Sequence, residues 1–206
     1  MGTWAAFFIK TNKLDRVTEK LQDLSGIDTV STGEFPTEDL YNNILLADNA
    51  EPTYMVFAQT QPGWVMVRHN ALQNLEDWGE ELSRHFQSLV IIAGAQSNAD
   101  FYHFSLYEKG TLQREIEYCY GDDTEPVNEG NKFEFEGDQP GKRMEYDDEE
   151  SFIFDFDSIE EYAKHFGLEV QPDYDKIATW TILKTNTTQK TLGDFRKQLK
   201  PWWKFW

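Results

Sequence analysis

The hydrophobic residues of this chain are spaced like those of alternating strands and helices. Residues 4–9 form a short, aromatic-rich apolar run that predicts a strand. Over residues 14–24 the apolar positions recur every three or four residues and stop at Gly26, which indicates an amphipathic helix. A strand followed by a helix is therefore expected at the start of the chain.

The same reading continues through the next hundred residues. Residues 53–58 and 64–68 are β-prone runs on either side of a Pro-Gly turn, so they predict a hairpin. An apolar stripe at helical spacing over 72–89 predicts a second helix. A buried strand over 89–93 and a long hairpin over 101–120 follow.

This order of elements contains the βαββαβ unit of the ferredoxin-like fold. We therefore expect an α+β protein with a ferredoxin-like core extended by an extra hairpin, over residues 1–121. An acidic, phenylalanine-bearing insertion over 122–157 and a C-terminal helical and strand elaboration over 158–206 complete the predicted organisation. In the last region, Ser158 to Glu161 has the spacing of a capping box that would begin a short helix.

The register of the long hairpin is predicted from where its apolar residues fall. A three-residue loop of Glu108, Lys109 and Gly110 gives one nearly continuous apolar face, whereas a two-residue loop mixes the faces. Only Arg114 interrupts that face, and His103 comes opposite Glu115. The residues expected to point inward, against the two preceding helices, are Tyr102, Phe104, Leu106, Leu112, Ile116 and Tyr118.

Charge changes this picture, because it is concentrated in one part of the chain. The 206 residues carry a net charge of −18, and residues 121–161 hold sixteen acidic residues against three basic ones. Direct nucleic-acid binding is not expected, since phosphate contacts need clustered Lys and Arg. No membrane span is expected, because no apolar run approaches the roughly 18 residues that a span needs. Membrane-surface association is not expected either, because an anionic leaflet would repel the negative charge of the chain. With a single cysteine and no secretory signal, we expect a cytoplasmic protein.

The acidic insertion is the predicted partner-binding surface. Its carboxylates are interleaved with phenylalanines, so the segment combines charge with groups that can bury apolar area. The leading hypothesis is a non-enzymatic acidic binding protein that docks a basic partner protein, such as an immunity-type inhibitor of a toxin. No cofactor is expected. The predicted partner-binding residues are Asp122, Asp123, Phe133, Phe135, Asp147, Asp148, Glu149 and Glu150.

Two alternatives remain open at this point. Asp155 and Asp157 follow a hydrophobic run at i and i+2, and such a pair can hold a divalent metal for phosphoryl transfer or hydrolysis. A helix starting nearby would use the same acids as caps, and no phosphate-binding glycine-rich loop accompanies them. The second alternative is a structural or accessory subunit that docks through its Trp-rich tail, residues 201–206.

Overall fold

A computed structural model describes residues 3–36, 52–71, 75–96, 99–120, 125–146 and 149–185. In chain order the elements are β1 (Thr3–Lys10), α1 (Leu14–Ser25), β2 (Val30–Gly33), β3 (Tyr54–Gln61), β4 (Trp64–His69), α2 (Glu76–Phe86), β5 (Leu89–Gln96), β6 (Phe101–Glu108), β7 (Thr111–Cys119), β8 (Val127–Gly130), β9 (Lys142–Tyr146), β10 (Glu149–Ile153), α3 (Phe156–His165), a 3-10 turn (Tyr174–Lys176) and β11 (Trp180–Lys184). Residues 186–206 of the C-terminal elaboration, which include the Trp-rich tail, lie outside the described residues.

Nine strands form one antiparallel sheet in the order β2-β11-β3-β4-β1-β5-β6-β7-β8, and β9 pairs with β10 in a separate hairpin. The α+β class is confirmed. The sheet order differs from the predicted core plus one hairpin, because β2, β8 and β11 join the same sheet. The first two were not predicted, since each has four residues and lacks a strand-like alternation of apolar side chains. No helix among the described residues is long and apolar enough to cross a membrane.

Both faces of the sheet are covered by helices. Strand β1 is therefore buried on both faces, which explains why its sequence is almost continuously apolar. Because side chains alternate along a strand, Phe7 and Ile9 point to one face and Trp4, Ala6 and Phe8 to the other. All five are buried. A strand with two buried faces needs a hydrophobic run rather than alternation.

Two hydrophobic cores therefore flank the sheet. The helix-pair core lies under α1 and α2, with Val17 and Leu21 of α1 and Leu82 of α2 fully buried. The α3 core lies on the opposite face, where Ile159 and Tyr162 of α3 pack on the sheet. The acidic region and the chain that follows it thus supply the second helical layer.

The long hairpin differs from its predicted register. Glu108 pairs with Thr111, so Lys109 and Gly110 form a two-residue loop in which both φ angles are positive, 51° and 85°. Three residues further along β7, Arg114 is the partner of Leu106, because Gln113 is an extra residue that shifts the register. The predicted three-residue loop is wrong. The turn has two residues, and the bulge that follows it returns the rest of β7 to the face that was predicted for it.

The bulge decides which hairpin residues share a core. Phe104, Leu106 and Ile116 are buried together in the α3 core, as the parity predicted, but they pack towards α3 and not towards α1 and α2. Leu112 lies before the bulge and packs on the helix-pair core instead. His103 pairs with Glu117 and not with Glu115, and its face is buried rather than solvated because α2 covers the hairpin.

Phe104 provides a test of this packing. It is fully buried, and its ring meets the Tyr162 ring edge-on at 5.4 Å between centroids. Truncation to alanine leaves a cavity between sheet and helix, so Phe104→Ala should lower the free energy of unfolding by about 3–5 kcal/mol in urea titrations. Val30→Ala, at an exposed site, should change it by less than about 0.5 kcal/mol. Equal effects of the two changes would contradict the packing described.

His69 makes stability depend on pH. It is fully buried with its ring against Phe7, and burial together with the charge of Arg68 lowers its pKa to about 3. Below pH 6.5 the unfolded chain binds a proton that the folded chain excludes, so stability falls as pH falls from 6.5 towards 3. From pH 7 to pH 5 the loss should be about 2 kcal/mol.

The measurement is urea unfolding of the protein and of His69→Gln at both pH values. Other titrating groups contribute equally to both proteins, so the difference between the two pH responses isolates His69. A variant that loses as much stability as the parent between pH 7 and pH 5 would show that His69 is not the responsible group.

Candidate functional site

The acidic segment predicted to bind a partner is partly a folded layer on the protein's own surface. Its strand β8 is an edge strand of the large sheet, and β9 and β10 form the separate hairpin before α3. Of the predicted partner-binding residues, Glu149 and Glu150 lie in β10, and Phe133 and Phe135 lie in the stretch before β9. The other four lie outside the described residues: Asp122, Asp123, Asp147 and Asp148.

A buried ion pair fastens this segment to the sheet. The Glu136 carboxylate accepts hydrogen bonds from Arg114 Nε at 2.8 Å and Nη2 at 2.7 Å, and also from the backbone N–H of Phe133 at 3.2 Å. Arg114 Nη1 donates to the carbonyl of Glu129 at 2.7 Å. The two charged side chains have exposed fractions of 1% and 0%. One arginine of β7 therefore holds both β8 and the turn after it.

Arg114 is the residue that interrupts the apolar face in the sequence. An arginine at a core position signals a buried partner, but the sequence does not say which of many acids supplies it. The close approach of β8 to the bulge also requires a glycine. A Cβ at Gly130 would collide with the carbonyl oxygen of Gln113. Sequence reasoning missed Glu136 because 22 positions separate it from Arg114.

Phe133 and Phe135 pack against α3 within the same molecule. Phe133 meets the Phe166 ring at 5.2 Å, and Phe135 stacks face to face on His165 at 3.6 Å with an interplanar angle of 2°. Phe135 nevertheless keeps 36% of its surface exposed. Burial and the nearby Glu136 carboxylate raise the pKa of Tyr162, the α3 residue that both phenylalanines contact, so its hydroxyl stays protonated.

Carboxylates cover the outside of this layer. Five acids, four in the described part of the segment and one in the middle of α3, are exposed and make no ion pair with described residues: Glu125, Glu129, Glu134, Asp138 and Glu161. On the neighbouring strand, burial and the negative charges of Glu76, Glu117 and Glu129 raise the pKa of Glu115 despite the opposing influence of His103. The edge of the sheet at β7 and β8 is therefore crowded with acidic groups.

The suspected metal pair, Asp155 and Asp157, has other partners. Asp155 is the N-cap of α3: its Oδ1 accepts from the Ser158 N–H at 2.8 Å, and the Asp155 backbone N–H donates to the Ser158 hydroxyl at 3.3 Å. The N-cap therefore lies three residues before Ser158, where the capping box was predicted to begin. Lys142 Nζ lies 2.8 Å from Asp157 Oδ2 and 3.7 Å from Asp155 Oδ1, and its hydrogen bond lowers the pKa of Asp157.

The lysine ammonium thus supplies the positive charge between the two carboxylates. No group of three His, Cys, Asp or Glu side chains among the described residues is arranged to hold a metal ion. What this geometry provides is a helix start tied to β9 by an ion pair.

A second polar network lies on the opposite face of the hairpin. His103 Nδ1 is 3.1 Å from Glu117 Oε2, and its Nε2 is 3.2 Å from Ser105 Oγ. This is the hydrogen-bond order of a serine, histidine and acid triad. Ser105 and His103 are fully buried inside β6, so the serine hydroxyl has no access to a substrate. In this arrangement the network satisfies polar groups beneath α2.

The buried ion pair predicts an asymmetric mutational result. Glu136→Gln leaves the Arg114 charge buried without its counterion, so it should lower the free energy of unfolding by about 3–5 kcal/mol. Glu134→Gln, two residues away and exposed, should change it by less than about 0.5 kcal/mol. Urea unfolding of both variants checks this, and a Glu136→Gln protein as stable as the Glu134→Gln protein would contradict the anchoring role.

Comparison of this chain with protein-family models, with curated proteins and with solved structures found no match in any of the three. Three features of the described residues bear on function. They are the acidic layer, meaning the folded part of the acidic segment over residues 125–146 with its exposed carboxylates, the buried Arg114–Glu136 pair beneath it, and the aromatic residues at its border.

Proposed function

We propose that this is a non-enzymatic acidic binding protein that docks a basic partner protein, with an immunity-type inhibitor of a toxin as the kind of protein that fits best. The observation that carries the proposal is the ordered acidic layer: Arg114 and Glu136 hold it on the sheet, and its exposed carboxylates have no ion-pair partners among the described residues. A cytoplasmic location belongs to the same proposal.

Physical chemistry favours such a layer as a receptor for positive charge. Because the backbone that carries these carboxylates is already folded, less backbone conformational entropy is lost when a partner binds. Their summed field attracts a basic protein over about a Debye length, roughly 8 Å at physiological ionic strength, and speeds encounter. The contact role of Asp122, Asp123, Phe133, Phe135, Asp147, Asp148, Glu149 and Glu150 stays a prediction within this proposal.

We also propose that the centre of the fold is the ferredoxin-like unit expected from the sequence. Its support is the run β3-β4-β1-β5 inside the larger sheet, with α1 and α2 packed on one face. That fold hosts many unrelated functions, so it adds nothing to the choice of partner.

The two alternatives have less support. A metal-dependent enzyme would need Asp155 and Asp157 free, whereas one caps α3 and the other pairs with Lys142. Docking through the Trp-rich tail concerns residues outside the described part of the chain, so no contact favours it.

The proposal is tested by reversing charges on the acidic layer. The variant carries Glu125→Lys, Glu129→Lys, Glu134→Lys and Asp138→Lys. The matched control makes the same change in net charge with Asp15→Lys, Glu19→Lys, Asp28→Lys and Glu34→Lys. These four exposed acids lie on α1 and around β2, the strand at the opposite edge of the sheet, and they make no ion pair with any described residue. The full chain is used to capture its partner from the source cells, and association is measured with the purified partner.

We expect the layer variant to lower the association rate by about tenfold or more at low salt, and by much less at about 1 M salt, where charges are screened beyond about 3 Å. The control should change the rate far less, because its charges lie away from the contact. Equal effects of both variants, or failure to capture any protein partner, would refute the docking proposal.

A further inference from the structure

Among the large hydrophobic side chains that the structure describes, three are exposed: Val30 at 42%, Tyr120 at 45% and Phe135 at 36%. Two of these lie at the start of the acidic region or within it. Tyr120 stands at its start, directly before the Gly121-Asp122-Asp123 stretch, and Phe135 lies within it. Single exposed apolar residues are ordinary, so the exposure alone has no functional meaning.

Tyr120 differs from an ordinary exposed residue because its ring is held in place. The backbone N–H of Phe154 donates to the Tyr120 hydroxyl at 2.7 Å, and that hydroxyl lies 3.4 Å from the Phe154 carbonyl, to which it donates. At the other end of the residue, its backbone N–H donates to the Asp100 carbonyl at 3.1 Å. An exposed side chain would otherwise sample several rotamers, so this ring is ordered before any partner arrives.

The ring also belongs to a larger aromatic surface, the tyrosine patch, formed by Tyr102, Tyr118 and Tyr120. Tyr120 stacks on Tyr118 at 5.6 Å with an interplanar angle of 26°, and Tyr118 stacks in the same way on buried Phe154 at 5.9 Å. Tyr102 lies 6.3 Å from Tyr120. Tyr102 and Tyr118 are half-buried, so the patch presents one well-exposed ring on a rigid aromatic base.

Two carboxylates border this patch. Asp100 is exposed and makes no ion pair with any described residue, and its backbone carries the hydrogen bond to Tyr120. Asp155 follows Phe154, the residue that fixes the Tyr120 hydroxyl. Burial, and then the charges of Asp100 and Asp155, raise the pKa of Tyr102, which places both carboxylates within electrostatic reach of the patch.

We propose that the tyrosine patch, with Asp100, is the site where the acidic protein receives an arginine side chain of its basic partner. A guanidinium is weakly hydrated and planar, so it stacks on an aromatic face and donates to a carboxylate at the same time. The carboxylates of Asp100 and Asp155, whose charges act on Tyr102, suit that positive charge. The inference rests on the proposed function, and it adds the anchoring contact: acidic side chains would set the association rate, and Tyr120 the dissociation rate.

The first test needs no partner. Acetylated tetra-arginine amide is titrated into the full protein while the Tyr120 ring resonances, identified by their loss in Tyr120→Phe, are followed by NMR. The control peptide is tetra-citrulline, which has nearly the same shape without the charge. We expect the arginine peptide to shift the Tyr120 ring and the citrulline peptide to shift it several-fold less.

The Asp100→Asn variant should weaken arginine-peptide binding by about threefold, a magnitude in keeping with one exposed ion pair. Asn suits this position because Asp100 has a positive φ of 46°, a conformation that Asn tolerates. Glu34→Gln, at another exposed acid that makes no ion pair with any described residue, should leave the affinity unchanged. Equal shifts with the citrulline peptide, or unchanged affinity in Asp100→Asn, would overturn the assignment.

The second test uses the captured partner and separates this inference from the proposed function. Tyr120→Ala should raise the dissociation rate by about tenfold and leave the association rate within about twofold, whereas Val30→Ala, similarly exposed at the opposite edge of the sheet, should change neither. If charge reversal slows association but Tyr120→Ala leaves dissociation unchanged, the arginine site is wrong and the docking proposal stands. If charge reversal has no effect, the docking proposal fails on its own.

Discussion

The bidentate ion pair between Arg114 and Glu136 is the interaction on which the acidic half of this structure depends. It holds one carboxylate of the acidic segment in a fully buried site, and it joins β7, β8 and the turn around Phe133 through four hydrogen bonds. A buried pair of this kind adds little net stability compared with apolar side chains of the same size, because desolvation opposes the attraction. What it provides is position: a segment rich in like charges is held at one place on the sheet.

The second helical layer follows from that position. With the turn fixed, Phe133 and Phe135 meet α3, and α3 closes the sheet face that carries Phe104 and Ile116. The N-terminus of α3 is secured separately by the Asp155 cap and by Lys142. Several acids that look like a surplus of negative charge in the sequence therefore have structural roles, whereas Glu125, Glu129, Glu134 and Asp138 are exposed and make no ion pair with any described residue.

The acidic surface therefore has two physical components. Exposed carboxylates act at a distance, are screened by salt and require little geometric precision. The proposed arginine contact at the tyrosine patch would act at contact distance, and the order of the patch comes from the hydrogen bonds of Tyr120 to Phe154 and Asp100. A partner would experience the first component on approach and the second after docking, which is why rates and not only affinities distinguish them.

Hydrophobic spacing by itself determined the main elements of the first half: β1, α1, the β3-β4 hairpin, α2 and β5 all lie where apolar periodicity places them. Parity along β6 and β7 was likewise sufficient to find Phe104, Leu106 and Ile116 on one face. These properties are local, since a strand or helix must present its apolar side chains at its own period whatever it packs against.

Tertiary structure alone decided the rest. The bulge at Gln113 kept the side chains beyond it on the predicted face of the sheet but changed their cross-strand partners, so His103 pairs with Glu117. No local pattern in the sequence distinguishes a three-residue loop from a two-residue loop followed by a bulge. Strand β11 inserts between β2 and β3 from the far end of the described chain, and Glu136 is chosen from many acids as the partner of Arg114. Each of these is a contact between distant residues, selected because a buried charge or an open sheet edge must find a partner in three dimensions.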